Sequence, residues 1–513
     1  MAQISVNELT FYYDGSYDNI FENVTFKIDT DWKLGFVGRN GRGKTTFLNL
    51  LQGNYEYRGS IQSDIKFDYF PPDISKDQED RQSIAVLEAL DPDCEMWRVN
   101  RELKLLQVDE DVLFRPYSTL SNGEQTKLLL ALLFSKKNNF LLIDEPTNHL
   151  DTEARELLCK YLNQKKGFIL VSHDRWFLDQ CIDHILVINK QNIEVRQENF
   201  KSWWENKQRQ DAYEMSENEK LKKGIKKLTE SARQKALWAE KVESSKIGFN
   251  PLREERNIST RAYIGEKSRR MQQRRKNLER RQESAIKEKA ELLKNIEVTD
   301  TLKIVAKTHH KEVLVRAENL SIQYGDRQVV CGLNMELRNG DRVNLHGKNG
   351  CGKSSILKAI LAQTGETYEN DFLINGLVEI ASGLKISYIS QDTSFLCGSL
   401  EEFMYTNCLD ETLFKAILRK LDFERIQFTK QMENYSGGQK KKVLLAKSLC
   451  EQAHLYIWDE PLNYIDIFSR MQIEALIKEF APTLLFVEHD KSFVNEIATK
   501  IIDCDLLAGQ VHG

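Results

Sequence analysis

The sequence predicts an α/β protein in which one parallel-sheet domain occurs twice in tandem, the copies joined by an antiparallel α-helical hairpin. Three observations carry this. Short apolar runs alternate with helical patterns, a series of motifs returns in the same order about 300 residues later, and the middle of the chain is charged with an apolar residue every three or four positions.

At 513 residues the chain exceeds what one hydrophobic core normally fills, so two to four domains are expected. A content of 41% hydrophobic and 29% charged residues, with only 8 Pro, belongs to a folded, helix-rich protein and excludes a disordered or fibrous one. Nine cysteines stand singly, with no CxxC pair and no histidine cluster at metal-ligand spacing, which points to reduced thiols and away from a zinc site. The start Met1-Ala2-Gln3-Ile4-Ser5-Val6 lacks a basic segment followed by an apolar one, and no run of eighteen apolar residues occurs. Neither a signal peptide nor a membrane span is expected, and the expected location is the cytoplasm. The formal net charge of −4 hides an asymmetry: Lys201 to Asp300 holds about 26 Lys and Arg against about 17 Asp and Glu. The rest is therefore acidic, and the middle is the part suited to a polyanion.

The repeat is explicit. Leu9-Thr10-Phe11-Tyr12-Tyr13 resembles Leu320-Ser321-Ile322-Gln323-Tyr324, and Gly38-Arg39-Asn40-Gly41-Arg42-Gly43-Lys44-Thr45 matches Gly347-Lys348-Asn349-Gly350-Cys351-Gly352-Lys353-Ser354. Leu120-Ser121-Asn122-Gly123-Glu124 then pairs with Tyr435-Ser436-Gly437-Gly438-Gln439, Asp144-Glu145-Pro146 with Asp459-Glu460-Pro461, and Ser172-His173-Asp174 with Glu488-His489-Asp490. The expected division is residues 1–198 for the first copy, 199–307 for the linker and 308–513 for the second copy. Runs such as Phe140-Leu141-Leu142-Ile143 and Phe168-Ile169-Leu170-Val171 read as buried parallel strands.

Gly38, Gly41 and Gly43, and likewise Gly347, Gly350 and Gly352, let the backbone wrap a phosphate whose charge is met by N–H groups opening the next helix. Lys44 and Lys353 then reach the β- and γ-phosphates of ATP, and Thr45 and Ser354 the Mg²⁺. Asn40, Thr46, Asn349 and Ser355, within or directly after the loops, complete the nucleotide-binding candidates. Asp144 and Asp459 end apolar strands beside the metal position, and the adjoining Glu145 and Glu460 stand where a base could polarise the attacking water. Alone, such a pair is more often a solvated cap; following a phosphate loop, it reads as functional. A lone histidine after a strand is usually structural, but His173 and His489 recur in both copies, which favours a γ-phosphate contact.

The Ser-x-Gly blocks at Ser121 and Ser436 decide the family. Phosphate loop, Ser-Gly-Gly-Gln signature, strand-end Asp-Glu and switch histidine, in that order and duplicated, resemble the ABC ATPases over both terminal thirds of the chain. In that family two domains face head to tail, which implies a monomer with intramolecular domain pairing and two composite sites. Lys44, Thr45, Asp144, Glu145 and His173 would work with Ser436 and Gly438. Lys353, Ser354, Gln391, Asp459, Glu460 and His489 would work with Ser121 and Gly123. Tyr13 and Tyr324 occupy the place where the family stacks an aromatic on adenine, with ordinary core packing as the alternative. One departure matters: Gln391 matches the family's Mg²⁺-contacting glutamine, whereas Pro72 stands at that place in the first copy. Proline has no side-chain oxygen, so the two sites are expected to be unequal.

From about 206 to 243 there is no proline, and Leu221, Ile225, Leu228 and Ala232 keep a 4-3-4 spacing, which predicts a long helix of roughly 57 Å. A second helix is expected from Ala262 to Ile296, with Ile247-Gly248-Phe249-Asn250-Pro251-Leu252 breaking both patterns and the tip near 244–261. Arg269, Arg270, Arg274, Arg275, Lys276, Arg280 and Arg281 suit a phosphate backbone, with a solvated coiled coil as the alternative. Ile247, Phe249 and Leu252 at an exposed tip suit insertion into a folded RNA.

Two tandem ABC domains, no membrane span and a basic hairpin between them resemble the ABC-F proteins, which bind the ribosome and act on translation. The resemblance implies that the hairpin contacts large-subunit rRNA, entering through the tRNA exit site toward the peptidyl-transferase centre, with tRNA itself an open second contact. The short spacing from Lys44 to Ser121 leaves no room for the helical arm of several housekeeping members, and no extension is expected beyond His512-Gly513. With Trp32-Lys33-Leu34-Gly35 leading into the first loop, this is most similar to the antibiotic-resistance branch of the Lsa and Vml type. That branch implies protection from lincosamides, pleuromutilins and streptogramin A compounds by a clamp that ATP closes and hydrolysis reopens. A housekeeping translation factor and the soluble ATPase of a membrane exporter are the alternatives; the longer coiled coils or zinc cysteines of DNA-processing relatives are not seen.

Overall fold

The computed structural model describes residues 3–13, 19–136, 139–148, 150–189, 192–247, 304, 306–364 and 372–507. The chain forms two compact units, one of Met1–Lys201 with Asp300–Gly513 and one of Ser202–Thr299.

In the first copy the apolar runs form one sheet in the order Lys66–Phe70, Asn139–Asp144, Phe168–Val171, Lys33–Val37, His184–Asn189, Asn192–Arg196. The first five strands are parallel and the last is antiparallel. The second copy repeats the order with Ile386–Ile389, Leu455–Asp459, Leu484–Val487, Arg342–His346 and Lys500–Asp503, all parallel. Asp144 lies opposite Val171 and Asp459 opposite Val487, so both carboxylates end their strands at the same level. In the second copy the strand is pinned just before its acid: Trp458 is buried and its indole N–H donates to Ser448 Oγ at 3.0 Å, which shares a 2.8 Å bond with Ser387 Oγ.

Each copy also carries a three-stranded antiparallel sheet that the sequence reading did not anticipate, Phe21–Asp29, Gln3–Phe11 and Arg58–Gln62 in one and Arg327–Arg338, Val313–Tyr324 and Leu373–Ile380 in the other. These strands bury alternate residues, so they lack the continuous apolar runs that mark the central strands. The helix Lys44–Leu51 packs into the first core, with Phe47 set among Phe21, Phe26 and Phe36 at centroid distances of 6.0, 5.8 and 5.5 Å. Ile356, Leu357 and Ile360 of Lys353–Ala362 serve the second. Anchoring these helices in apolar cores fixes the phosphate loops that precede them.

The second unit holds all but the first two residues of the helix Phe200–Ile247, 48 residues or roughly 72 Å of rise. It starts earlier and ends later than the 206–243 expected, and it takes in Ile247. Phe249, Leu252, Arg269, Arg270, Arg274, Arg275, Arg280 and Arg281 lie outside the described residues. Among the described residues no helix is long and apolar enough to cross a membrane.

Candidate nucleotide sites

Gly43 and Gly352 cap their helices with φ of 94° and 97°, a left-handed conformation that a side chain would strain. Neither helix start has a side-chain cap, which leaves its first N–H groups for an anion. Lys44 is buried across its own loop, its Nζ donating to Gly38 O at 2.7 Å, Arg39 O at 3.2 Å and Asn40 Oδ1 at 3.2 Å. Lys353 repeats this on Gly347 O at 2.8 Å and Lys348 O at 2.7 Å. Thr45 Oγ1 donates to Asp144 Oδ2 at 3.0 Å, and Ser354 bonds Asp459. Burial pushes the Asp144 carboxyl up and that of Asp459 to about 6, and Asp459 Oδ1 has no hydrogen-bond partner. A hydroxyl beside a buried, under-satisfied carboxylate is a donor set that fits Mg²⁺.

Glu145 and Glu460 follow with φ of 51° and 47°, values uncommon for a residue with a side chain. Their N–H groups donate to Val171 O at 2.9 Å and Val487 O at 3.1 Å, tying each acid to the neighbouring strand. Burial, and then the adjacent Asp144, push Glu145 to about 8. His173 Nε2 lies 3.3 Å from Glu145 Oε1, and burial together with Lys44 holds its imidazole neutral. His489 is buried with both ring nitrogens unbonded, and burial followed by Lys353 lowers it to about 2. Gln391 Nε2 donates to Glu460 Oε2 at 2.9 Å, and Asn463 Nδ2 to the same oxygen at 2.7 Å. Strand register places Tyr69 opposite Leu142 and Tyr388 opposite Ile457, so Pro72 and Gln391 are matched positions. In the first copy the hydroxyl of Tyr69, the match of Tyr388, donates to Asp144 Oδ2 at 2.9 Å, and burial keeps it protonated.

A cavity of about 480 Å³ brings Lys44, Thr45, Asp144, Glu145 and His173 together with Ser436 and Gly438 of the other copy. Ser436 caps the helix Gly437–Cys450, its Oγ accepting Gln439 N–H at 3.3 Å, so the positive end of that helix opens on the cavity. A Cβ on Gly438 would fall 2.6 Å from Tyr464 O, and that same carbonyl accepts Asn40 Nδ2 at 3.0 Å. Lys442 also lines the cavity, 3.5 Å from Asp466. Burial would raise Asp466, but Lys442 and a Ser469 N–H hold it at about 2.

Around the second phosphate loop, the contacts between copies run through Asp151, whose Oδ2 accepts Asn349 N–H at 3.3 Å, and Glu153, 3.0 Å from Lys348 Nζ. Ser121 is taken up in its own helix cap: its Oγ accepts Glu124 N–H at 3.2 Å and donates to the Glu124 carboxylate at 2.8 Å. Gly123 stands in the first turn of that helix, Asn122–Ser135.

The ABC transporter family model matches residues 21–148 and 330–463. Ribosome protection protein VmlR of Bacillus subtilis (strain 168) is 29% identical over 498 residues, 94% of this chain and 84% of that protein. Energy-dependent translational throttle protein EttA of Escherichia coli (strain K12) is 26% identical over 538 residues, 94% and 89% respectively. The chain belongs to the ABC-F family of ATPases. The fold of this ABC-F ATPase is shared with archaeal ribosome recycling factor aABCE1, solved in complex with ribosomal stalk protein aP1, at 18% identity and a TM-score of 0.61 over 97% of this chain and 87% of the other.

In this ABC-F ATPase, Tyr13 is 41% exposed beside the first loop, which removes the core alternative for that residue. Its hydroxyl shares a 2.8 Å bond with Thr46 Oγ1, and Tyr324 shares one of 3.1 Å with Ser355 Oγ. Tyr69, Lys442 and Tyr464 are among the cavity residues that sequence reasoning missed, as is Asp466, which pairs with Lys442. A tyrosine at 388 matching 69 was a usable signal for the first. The other three act across copies, Asn40 and Tyr464 standing 424 positions apart, and no local pattern marks that.

Proposed function

We propose that this ABC-F ATPase is a ribosome-protecting clamp, with catalytic domains 1–198 and 308–513 and a hairpin at 199–307 that enters through the tRNA exit site. The single observation that carries the reading is the cavity in which one copy's phosphate loop meets the other's signature helix. ATP there would be held by the loop N–H groups, Lys44 and the Ser436 helix terminus, so its binding draws the copies together. Mg²⁺ would be held by Thr45 and Asp144 in one site and by Ser354, Asp459 and Gln391 in the other, where it supplies charge neutralisation of the phosphates. Glu145 and Glu460 take the proton of the attacking water, and neutral His173 and His489 donate toward the γ-phosphate. Loss of that phosphate removes the bridge between copies and reopens the clamp. Similarity to a protein named for ribosome protection supports the ribosome as the partner; large-subunit rRNA near the peptidyl-transferase centre, and a lincosamide, pleuromutilin or streptogramin A as the drug countered, follow from the motif resemblance. Similarity to EttA supports a second reading, a housekeeping translation factor.

Pelleting an E145Q/E460Q variant with ribosomes tests nucleotide chemistry and partner together. Co-sedimentation only with ATP is expected; pelleting that ignores ATP would remove the clamp. Deletion that slows growth only in the presence of a drug of these three classes separates protection from housekeeping.

A further inference from the structure

Before the switch histidine the first copy has Ser172 and the second has Glu488, a carboxylate only 4% exposed. Glu488 Oε1 accepts Leu462 N–H at 2.8 Å, and Oε2 accepts His489 N–H at 3.3 Å. On the far side of the same residue, Leu462 O accepts Arg470 Nη2 at 2.9 Å. Leu462 is therefore gripped by a carboxylate at its N–H and a guanidinium at its carbonyl, and Arg470 is fixed in turn on Ile465 O at 2.9 Å and Asp490 Oδ2 at 3.0 Å. Between the two held points, 462 and 465, stands Tyr464 with φ of 64°. Its carbonyl is the one that accepts Asn40 of the opposite phosphate loop and that requires Gly438 to lack a side chain.

The first copy secures the matching loop differently. Ser172 Oγ shares a 3.1 Å bond with the Thr147 hydroxyl and accepts Asp174 N–H at 3.2 Å, a neutral arrangement. Burying a carboxyl is costly unless it is bonded; burial pushes that of Glu488 up to about 7, and its two backbone N–H bonds and the nearby Arg470 offset part of that cost. This carboxyl thus serves the one loop of the pair that reaches into the cavity described above.

We propose that Glu488 is a positioning residue for the opposite, first composite site: it fixes the loop Pro461–Ile465 so that Tyr464 holds Asn40 and the phosphate loop in register. The proposal rests on the reading that ATP is hydrolysed at both composite sites, and it predicts that a residue in the second copy's switch controls turnover in the first.

Steady-state ATPase assays in two backgrounds test it, E460Q reporting the first site and E145Q the second. In E460Q, adding E488A should cut kcat/KM about 10-fold, mainly through KM, as expected for losing a hydrogen bond to a charged group. E488Q, whose amide oxygen can still accept from Leu462, should recover most of that loss. N40A combined with E488A should be no worse than the poorer single variant. An unchanged kcat/KM in E460Q on adding E488A, or a loss that E488Q leaves in place alongside a lowered melting midpoint, would overturn the proposal while the two-site reading stands. If neither E145Q nor E460Q alone lowers turnover, the two-site reading itself fails.

Discussion

The two phosphate loops are near copies, whereas the acidic sides of the two sites are built from different chemistry. In the first, proline stands at position 72, the place of Gln391. In the second, Gln391 bonds Glu460, and Lys441 is buried with its Nζ on Ser390 O at 3.0 Å, in the field of Asp459 and Glu488. Thr126 occupies the place of Lys441 in the first copy. Duplication has kept what binds phosphate, where backbone geometry leaves little choice, and has let the metal and water side diverge. With an amide and a cation beside its acid pair, the second site is expected to hydrolyse ATP faster.

The largest effect should come from the bases. E145Q/E460Q together should abolish turnover, and removing one well-placed base costs about 10²- to 10⁴-fold at its site. E460Q should lower total ATPase more than E145Q, measured at saturating ATP; equal losses would break the comparison. Next, P72Q in the E460Q background should raise first-site turnover a few-fold by restoring an amide oxygen, and Y69F there should lower it by about 10-fold, because a hydrogen bond to a carboxylate is lost. The reverse of both, a loss in P72Q and a gain in Y69F, would show that the first site is tuned for slowness rather than merely deficient.

The pH dependence separates the sites further. Glu145 sits near 8 in the folded chain against an ordinary 4.5, so the folded state keeps a proton that the unfolded state gives up. Its contribution to stability is therefore full below about 4.5 and is lost as pH rises toward 8. A base must be ionised to act, so kcat/KM of the E460Q variant should climb with pH to a midpoint near 8. A flat profile from pH 6 to 9 would show that Glu145 is not the base, or that ATP binding ionises it before the step measured.

How far the sequence could be read follows the range of the interactions. Lys44, Thr45, Gly43 and Asp144 were legible because a loop, a strand end and their spacing are local facts repeated twice. The antiparallel sheets were not, since a half-exposed strand such as Gln3–Phe11 shows alternation instead of an apolar run. Head-to-tail pairing came from family resemblance; no periodicity brings Ser436 to Lys44. Tyr464 and Glu488 were invisible for a stricter reason: one acts through a main-chain carbonyl, which carries no residue signature, and the other through the loop that presents it.

The smallest effect lies at the rims of the sites, with two of the ion pairs that join the copies among the described residues. Arg39 Nη1 bonds both oxygens of Asp422 at 2.6 and 2.5 Å, the side chains are 13% and 28% exposed, and the guanidinium lies 5.8 Å from the Phe468 ring centre. Lys348 and Glu153 meet at 3.0 Å with 56% and 69% exposure. Coulomb attraction in water is weak and screened over about 8 Å at physiological salt, whereas a sheltered, two-oxygen contact with a planar cation is screened far less. D422N should therefore raise the first-site KM for ATP by about 3-fold at low and high salt alike, while E153Q should change the second-site KM by less than about 2-fold and only at low salt. KM measured in the E460Q and E145Q backgrounds at two ionic strengths decides it. An E153Q effect as large and as salt-resistant as that of D422N would mean that the rims, unlike the acid pairs, are functionally equal, and would confine the asymmetry to the residues around Asp144 and Asp459.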